Sequence, residues 1–136
     1  MSALKILKEI QVINFLDGRG ILSVAEFHCI EKFETKRVYY ISHALENDAR
    51  GAHAHKNLNQ VFFSVAGNFK MTVTDGLITE TVELKAQDVG YFLPAGHWRV
   101  LTNFTSDAVC FVLASAHYDE NDYIRSFEEF LECKKS

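Results

Sequence analysis

The sequence predicts an all-β domain, a small barrel or jelly roll closed by a short C-terminal helix. Three observations carry that expectation: short β-rich runs that follow one another closely, turn chemistry in the gaps between them, and a switch to helical spacing after Asp119.

In chain order the runs are EIQVINF (9–15), ILSVAEF (21–27), RVYYI (37–41), QVFFSVA (60–66), FKMTVT (69–74), LITETVEL (77–84), VGYFL (89–93) and AVCFVLA (108–114). Each is rich in β-branched and aromatic residues, which suit a pleated, half-buried surface. Gly67-Asn68 lies between two of them, Asp75-Gly76 turns FKMTVT into LITETVEL as a hairpin, and Pro94-Ala95-Gly96 follows VGYFL. From Asp119 onward Tyr123, Ile124, Phe127, Phe130 and Leu131 recur at helical spacing among charged residues, the pattern of an amphipathic helix. No repeat or low-complexity linker interrupts the chain, so residues 1–136 are expected to form one domain.

Composition narrows the function. The chain is 48% hydrophobic and 24% charged, with one proline and seven glycines, the profile of an ordered globular protein. A net charge of -4 gives no general attraction to nucleic acid or to an anionic membrane, so an anionic ligand must be met by a local basic pocket. The first fifteen residues alternate charged and apolar positions, unlike a signal peptide, and AVCFVLASA is too short to span a bilayer. Cys29, Cys110 and Cys133 are odd in number and lack metal-site spacing, which fits a reducing cytoplasm.

RGAHAHKNLNQ, residues 50–60, is where the chemistry concentrates. On a strand, the two-residue period points His53 and His55 to one face and Ala52 and Ala54 to the other. Two imidazoles that share a face beside Arg50 and Lys56 point to proton transfer near neutral pH. His28, His43, His97 and His117 lack such company and read as core or surface groups.

Four residues separate His55 from Gln60, six more lead to Gly67, and Pro94-x-Gly96-x-x-Arg99-x-x-x-Asn103 follows. This spacing resembles the two-part motif of the cupin superfamily, which implies a jelly-roll barrel with the site inside. Metal-binding cupins use two histidines, a glutamate and a later histidine as ligands. Gln60 and Arg99 stand at the last two positions here, and neither suits a divalent cation, so no metal is expected.

A narrower resemblance covers nearly the whole chain. Asp17-Gly18-Arg19-Gly20, Arg37-Val38-Tyr39-Tyr40-Ile41, Arg50-Gly51-x-His53-Ala54-His55-Lys56 with Gln60, Trp98, Asn103-Phe104 and LASAHYDENDYIR (113–125) are similar to the nucleotide-sugar 3,4-ketoisomerases of deoxysugar biosynthesis. Some relatives carry histidine where Arg99 stands. The resemblance implies a dTDP-linked 4-keto-6-deoxy sugar as ligand, no cofactor, and a homodimer that exchanges N-terminal strands. It also implies that His53 and His55 are the catalytic pair, with His53 as base at C3 and His55 as its partner in proton return, or the reverse. Arg99, Gln60 or Tyr39 would donate to the enediolate oxygen, Arg19, Arg37 and Arg50 would meet the diphosphate, and Lys56 belongs to the same basic segment. Trp98 has two roles open to it, stacking on base or sugar, or filling the barrel mouth. Two rival readings are a dTDP-sugar 3,5-epimerase, whose motif lacks the second histidine and the lysine, and a non-catalytic sugar-binding cupin.

Overall fold

The structure, a computed structural model, describes residues 3–45 and 48–135; Met1, Ser2, Glu46, Asn47 and Ser136 lie outside the described residues. The strands are β1 (Lys8–Ile10), β2 (Val12–Asp17), β3 (Gly20–Ala25), β4 (Arg37–Ser42), β5 (Arg50–His55) and β6 (Gln60–Ala66). They continue with β7 (Asn68–Thr74), β8 (Thr79–Lys85), β9 (Gly90–Leu93), β10 (Trp98–Thr102), β11 (Val109–Ala114) and β12 (Tyr123–Ile124). A 3₁₀ turn, Glu120–Asp122, precedes β12, and helix α1 (Phe127–Lys135) closes the chain.

Two five-stranded antiparallel sheets, in the orders β1-β9-β6-β11-β4 and β12-β5-β10-β7-β8, form the expected jelly-roll barrel. Period-two alternation fixes which face of each strand turns inward. On β7 the inward residues Phe69, Met71 and Val73 are fully buried, while Lys70 and Thr72 stay partly exposed. Phe62 and Val112 from the first sheet meet Phe69, Met71 and Leu101 from the second, so one apolar core joins the layers. Phe69 and Phe104 stack within it at 5.3 Å.

The Asp75-Gly76 hairpin pairs β7 with β8 from Asn68↔Lys85 to Thr74↔Thr79. Asp75 Oδ1 accepts from the backbone of Leu77 and Ile78 at 2.8 and 2.9 Å, the local bonding for which aspartate suits a turn. At Gly67, φ is +61° and an added Cβ would lie 2.7 Å from the Ala108 backbone, so both conformation and space demand glycine.

Some boundaries differ from the sequence expectation. EIQVINF divides at Gln11 into β1, which joins the barrel edge, and β2, which pairs only with β3. The β2–β3 hairpin leaves Ile13, Phe15, Leu16, Ile21 and Leu22 exposed. WRVLT, which holds an arginine among its apolar residues, is strand β10 although it is absent from the expected runs. The helix begins at Phe127 and not near Asp119, because the backbone of Tyr123 and Ile124 pairs with His55 and Ala54 of β5. Ser126 Oγ accepts from the backbone of Glu129, with acidic Glu128 and Glu129 at the N-terminus and Lys134 and Lys135 at the C-terminus. Among the described residues no helix is long and apolar enough to cross a membrane.

Candidate active site

The site lies where β5 and β10 cross the barrel. Arg99 pairs with His53 across these strands, but Leu101 pairs with Arg50, so β5 carries one extra residue between them. Gly51, with φ at +66°, accommodates that bulge. The bulge places Arg50 at the rim while His53 and His55 keep one inward face, with Ala54 on the other against Ile124 and Phe130.

His53 and His55 are 9% and 4% exposed, and their Nε2 atoms are 3.2 Å apart. Arg99 Nη2 donates to His53 Nε2 at 2.6 Å, and His55 Nδ1 meets Asp122 Oδ2 at 3.0 Å. The Tyr123 ring leans on both imidazoles, with centroids 4.9 and 4.4 Å away, and the Arg125 guanidinium covers Tyr123 at 4.2 Å.

The electrostatics correct one expectation. Both imidazoles are held well below neutrality: His53 to about 3, first by burial and then by the Arg99 charge, and His55 to about 4 by the same two causes, partly opposed by Asp122. They therefore rest neutral, as lone-pair acceptors, across the physiological range. Arg99 is 4% exposed, and its Nε and Nη1 have no hydrogen-bond partner among the described residues. A buried guanidinium with donors unmet is suited to an anion.

A cavity of about 470 Å³ opens in front of this cluster. Arg37, Arg50, Arg99 and Arg125 bring positive charge to its wall, and Tyr39, Tyr118 and Tyr123 bring aromatic faces with hydroxyl tips. His53 lines the cavity, while His55 is not among its lining residues. Gln60, 1% exposed, donates from Nε2 to the Tyr39 hydroxyl oxygen at 2.7 Å, leaving the Tyr39 proton available to the cavity. Arg37 sits 5.6 Å from the rings of both Tyr39 and Tyr118.

The sequence-derived residues thus divide. His53, Arg37, Tyr39, Arg50 and Arg99 converge on the cavity, with His55 and Gln60 directly behind. Three do not reach it in this chain. Trp98 lies on the opposite face of β10 from Arg99, packed on Phe127 and Phe130 at 5.3 and 5.9 Å, and does not line this cavity. Lys56 is exposed just beyond the end of β5 and does not line the cavity. Arg19, with its side chain 91% exposed, pairs with Asp17 at the tip of the β2–β3 hairpin.

Asp122, Tyr118, Tyr123 and Arg125 join the site without having been singled out individually. They all fall in the YDENDYIR segment, whose sequence signal was its part in the family resemblance and, for Tyr123, a helical spacing.

A divalent cation does not fit this arrangement. The Arg99 guanidinium occupies the lone-pair direction of His53 Nε2, and among the described residues no group of three histidine, cysteine or acidic side chains converges.

Comparison with known proteins places these features in context. The family model described as FdtA: WxcM-like, C-terminal matches residues 5–135. A TDP-4-oxo-6-deoxy-alpha-D-glucose-3,4-oxoisomerase from Aneurinibacillus thermoaerophilus is 40% identical over 125 residues, 90% of each chain. The 3,4-ketoisomerase QdtA from Thermoanaerobacterium thermosaccharolyticum, solved as a histidine-to-asparagine mutant in complex with TDP-4-keto-6-deoxyglucose, superposes with a TM-score of 0.88 at 32% identity, covering 98% of this chain and 96% of that one. A 3,4-ketoisomerase from Helicobacter canadensis superposes equally well, with a TM-score of 0.88 at 37% identity, covering 96% of this chain and 98% of that one.

Proposed function

This chain belongs to the FdtA (WxcM-like, C-terminal) family, and we propose that it is a sugar 3,4-ketoisomerase acting on TDP-4-keto-6-deoxyglucose. The observation that carries the reading is the pair of neutral, buried imidazoles in contact at 3.2 Å, with a guanidinium beside them at the wall of a cationic cavity.

The reaction follows from ordinary carbonyl chemistry. The C4 ketone acidifies the hydrogen on C3. His53, the imidazole at the cavity wall, takes that proton; the C–H electron pair becomes the C3–C4 double bond, and the carbonyl π pair moves onto O4. The Arg99 guanidinium and the Tyr39 hydroxyl meet the enediolate charge as it forms. The C3 hydroxyl then loses its proton and becomes the ketone, C4 receives a proton, and O4 ends as a hydroxyl. Protons and electrons balance with no redox cofactor. Arg37 and Arg50 are placed to receive the diphosphate, with bidentate donors matched to its oxygens, whereas the Arg125 guanidinium is already held by the Glu120 carboxylate.

The assembly is a homodimer that exchanges its N-terminal strands. The support is the β2–β3 hairpin, which pairs with neither barrel sheet and exposes five large apolar side chains, an edge that a second copy would cover. Arg19 at the hairpin tip would then reach a partner's surface. Leu16→Asp should shift sedimentation towards monomer, and an unchanged dimer would remove the hairpin from the interface. Residues 1–136 act as one cupin domain in the cytoplasm, where Cys29 and Cys133, both exposed and free, stay reduced.

Incubation with TDP-4-keto-6-deoxyglucose and NMR assignment of the product tests the activity. The expected product carries its ketone at C3. A ketone kept at C4 with exchange at C3 and C5 would make the protein an epimerase, and saturable binding without turnover would make it a binding module.

A further inference from the structure

Gln60 opens β6 and is 1% exposed, so it carries an amide into the barrel interior. Its row of the sheet runs Gln60–Ala114–Arg37 across β6, β11 and β4, and the next row runs Phe62–Val112–Tyr39. Ala114 has only a methyl group, which leaves the amide room to cross β11 diagonally to Tyr39, where Nε2 donates to the phenol oxygen at 2.7 Å. Tyr39 lines the cavity and Gln60 does not. Contrary to the expectation from sequence, the amide therefore does not meet a ligand itself, and its effect on one passes through Tyr39.

A phenol has one hydrogen to give and an oxygen that accepts. With Gln60 donating into that oxygen, the Tyr39 hydrogen is left for the cavity. A carboxylate in place of the amide would do the reverse. It can only accept, so it would draw the phenol hydrogen to itself and leave Tyr39 an acceptor towards the ligand. One atom of this buried side chain thus decides whether Tyr39 is a donor. Tyr39 stands on the first sheet and Arg99 on the second, so two donors approach the cavity from opposite walls.

We propose that Gln60 is a positioning residue that keeps Tyr39 a hydrogen-bond donor to the sugar oxygen on which the enediolate charge develops. This rests on the ketoisomerase reading above. The chain runs in one direction, from the Gln60 amide through the Tyr39 hydroxyl to O4, and each bond polarises the next. No proton leaves the phenol: its bond to O4 strengthens as the carbonyl oxygen gains charge and relaxes when O4 is protonated.

Gln60→Glu makes the direction of this chain depend on pH. While the introduced carboxyl is protonated, its O–H donates to Tyr39 as the amide does; once ionised it accepts, and the phenol hydrogen turns away from the cavity. Burial favours the protonated form, so both forms fall within an assay range of pH ~5 to ~9. The kcat of Gln60→Glu is expected to match wild type at the acid end of that range and to fall ~10²-fold below it at the alkaline end, with KM for TDP-4-keto-6-deoxyglucose unchanged. A ratio to wild type that does not vary with pH would overturn the proposal. Held at the wild-type level, it would mean that the Tyr39 hydrogen is not used; lowered equally throughout, it would mean that Gln60 only packs.

Tyr39→Phe decides the matter should the carboxyl variant fail to fold. It is expected to lower kcat by ~10² and to shift one of the two Nε2 proton resonances of Gln60 in side-chain ¹H–¹⁵N spectra. Wild-type kcat, or unmoved Gln60 resonances, would overturn the proposal. Failure of the underlying reading looks different: wild-type protein would leave the keto sugar unconverted at every pH, while the Gln60 resonance would still move in Tyr39→Phe.

Discussion

Strand β10 sends two side chains into the barrel interior two residues apart, and they meet opposite surroundings. Leu101 is fully buried in the apolar cluster with Phe62, Phe69, Met71 and Val112. Arg99 is 4% exposed, touches His53, and leaves two of its nitrogens without partners among the described residues. Phe62 borders both regions, with the Arg99 guanidinium 5.2 Å from its ring. One half of the interior removes apolar area from water and holds the fold. The other buries a charge and two imidazoles at a cost in stability, and gains groups whose basicity and donor directions are set before substrate arrives. A sheet can hold both because its strands fix side-chain direction regardless of what the side chain is.

The comparison breaks if changes in the charged half act through stability. His53→Asn should abolish turnover, a loss of up to ~10⁴-fold for a catalytic base, with TDP affinity and denaturant midpoint nearly intact. His55→Asn should lower kcat by ~10² or more in the same test. Steady-state kinetics beside urea melts separate the two effects, and near-normal kcat in either variant would remove that histidine from its role.

The reverse holds on the apolar side. Phe69→Ala should cost ~3–5 kcal/mol of unfolding free energy through lost burial and a residual cavity. The fraction that stays folded should keep wild-type kcat at low temperature. A specific loss of kcat in that fraction would show that the two halves are coupled.

Acid sharpens the contrast. The folded protein holds His53 near 3 and His55 near 4, whereas the unfolded chain binds those protons near 6.5. The unfolded state therefore binds more protons below pH 6.5. Stability from this source is complete above 6.5 and falls by about 1.4 kcal/mol per pH unit for each histidine as pH drops towards 4 and then 3. Denaturant melts between pH 7 and pH 4 should show that slope, and the double variant His53→Asn/His55→Asn should flatten it. An equal slope in both would place the acid sensitivity elsewhere.

The smallest expected effect is none at all: exhaustive chelation should leave the rate unchanged, because Arg99 stands where a cation would need a ligand. Activity lost on chelation and restored by one metal would reverse the reading of Arg99.

Much of the fold was legible because its strands carry their own periodicity. FKMTVT and AVCFVLA alternate cleanly, and Asp75-Gly76 marks its hairpin chemically. WRVLT was not legible, because Arg99 is buried for a reason other than hydrophobicity. Tyr123 and Ile124 looked helical because β-pairing with a strand nearly seventy residues earlier overrides local spacing. In the site, the shared face of His53 and His55 follows from strand geometry alone, and so was readable. Asp122 and Arg125 were not, since nothing local says which segment crosses the barrel mouth. The packing of Trp98 on Phe127 and Phe130 was not readable, because aromatic residues suit a binding site and a helix-packing face equally well.

The most direct test of the central claim, that buried imidazoles move the ketone by moving protons, is turnover of TDP-4-keto-6-deoxyglucose in D₂O with the product's C4 position read by NMR. An enediol route passes the C3 proton through His53 and His55, which exchange with solvent, so deuterium should appear at C4, incompletely where a proton returns before exchange. Product that carries only the original C3 hydrogen at C4, over many turnovers, would mean an internal hydride shift and would contradict the roles given to both histidines.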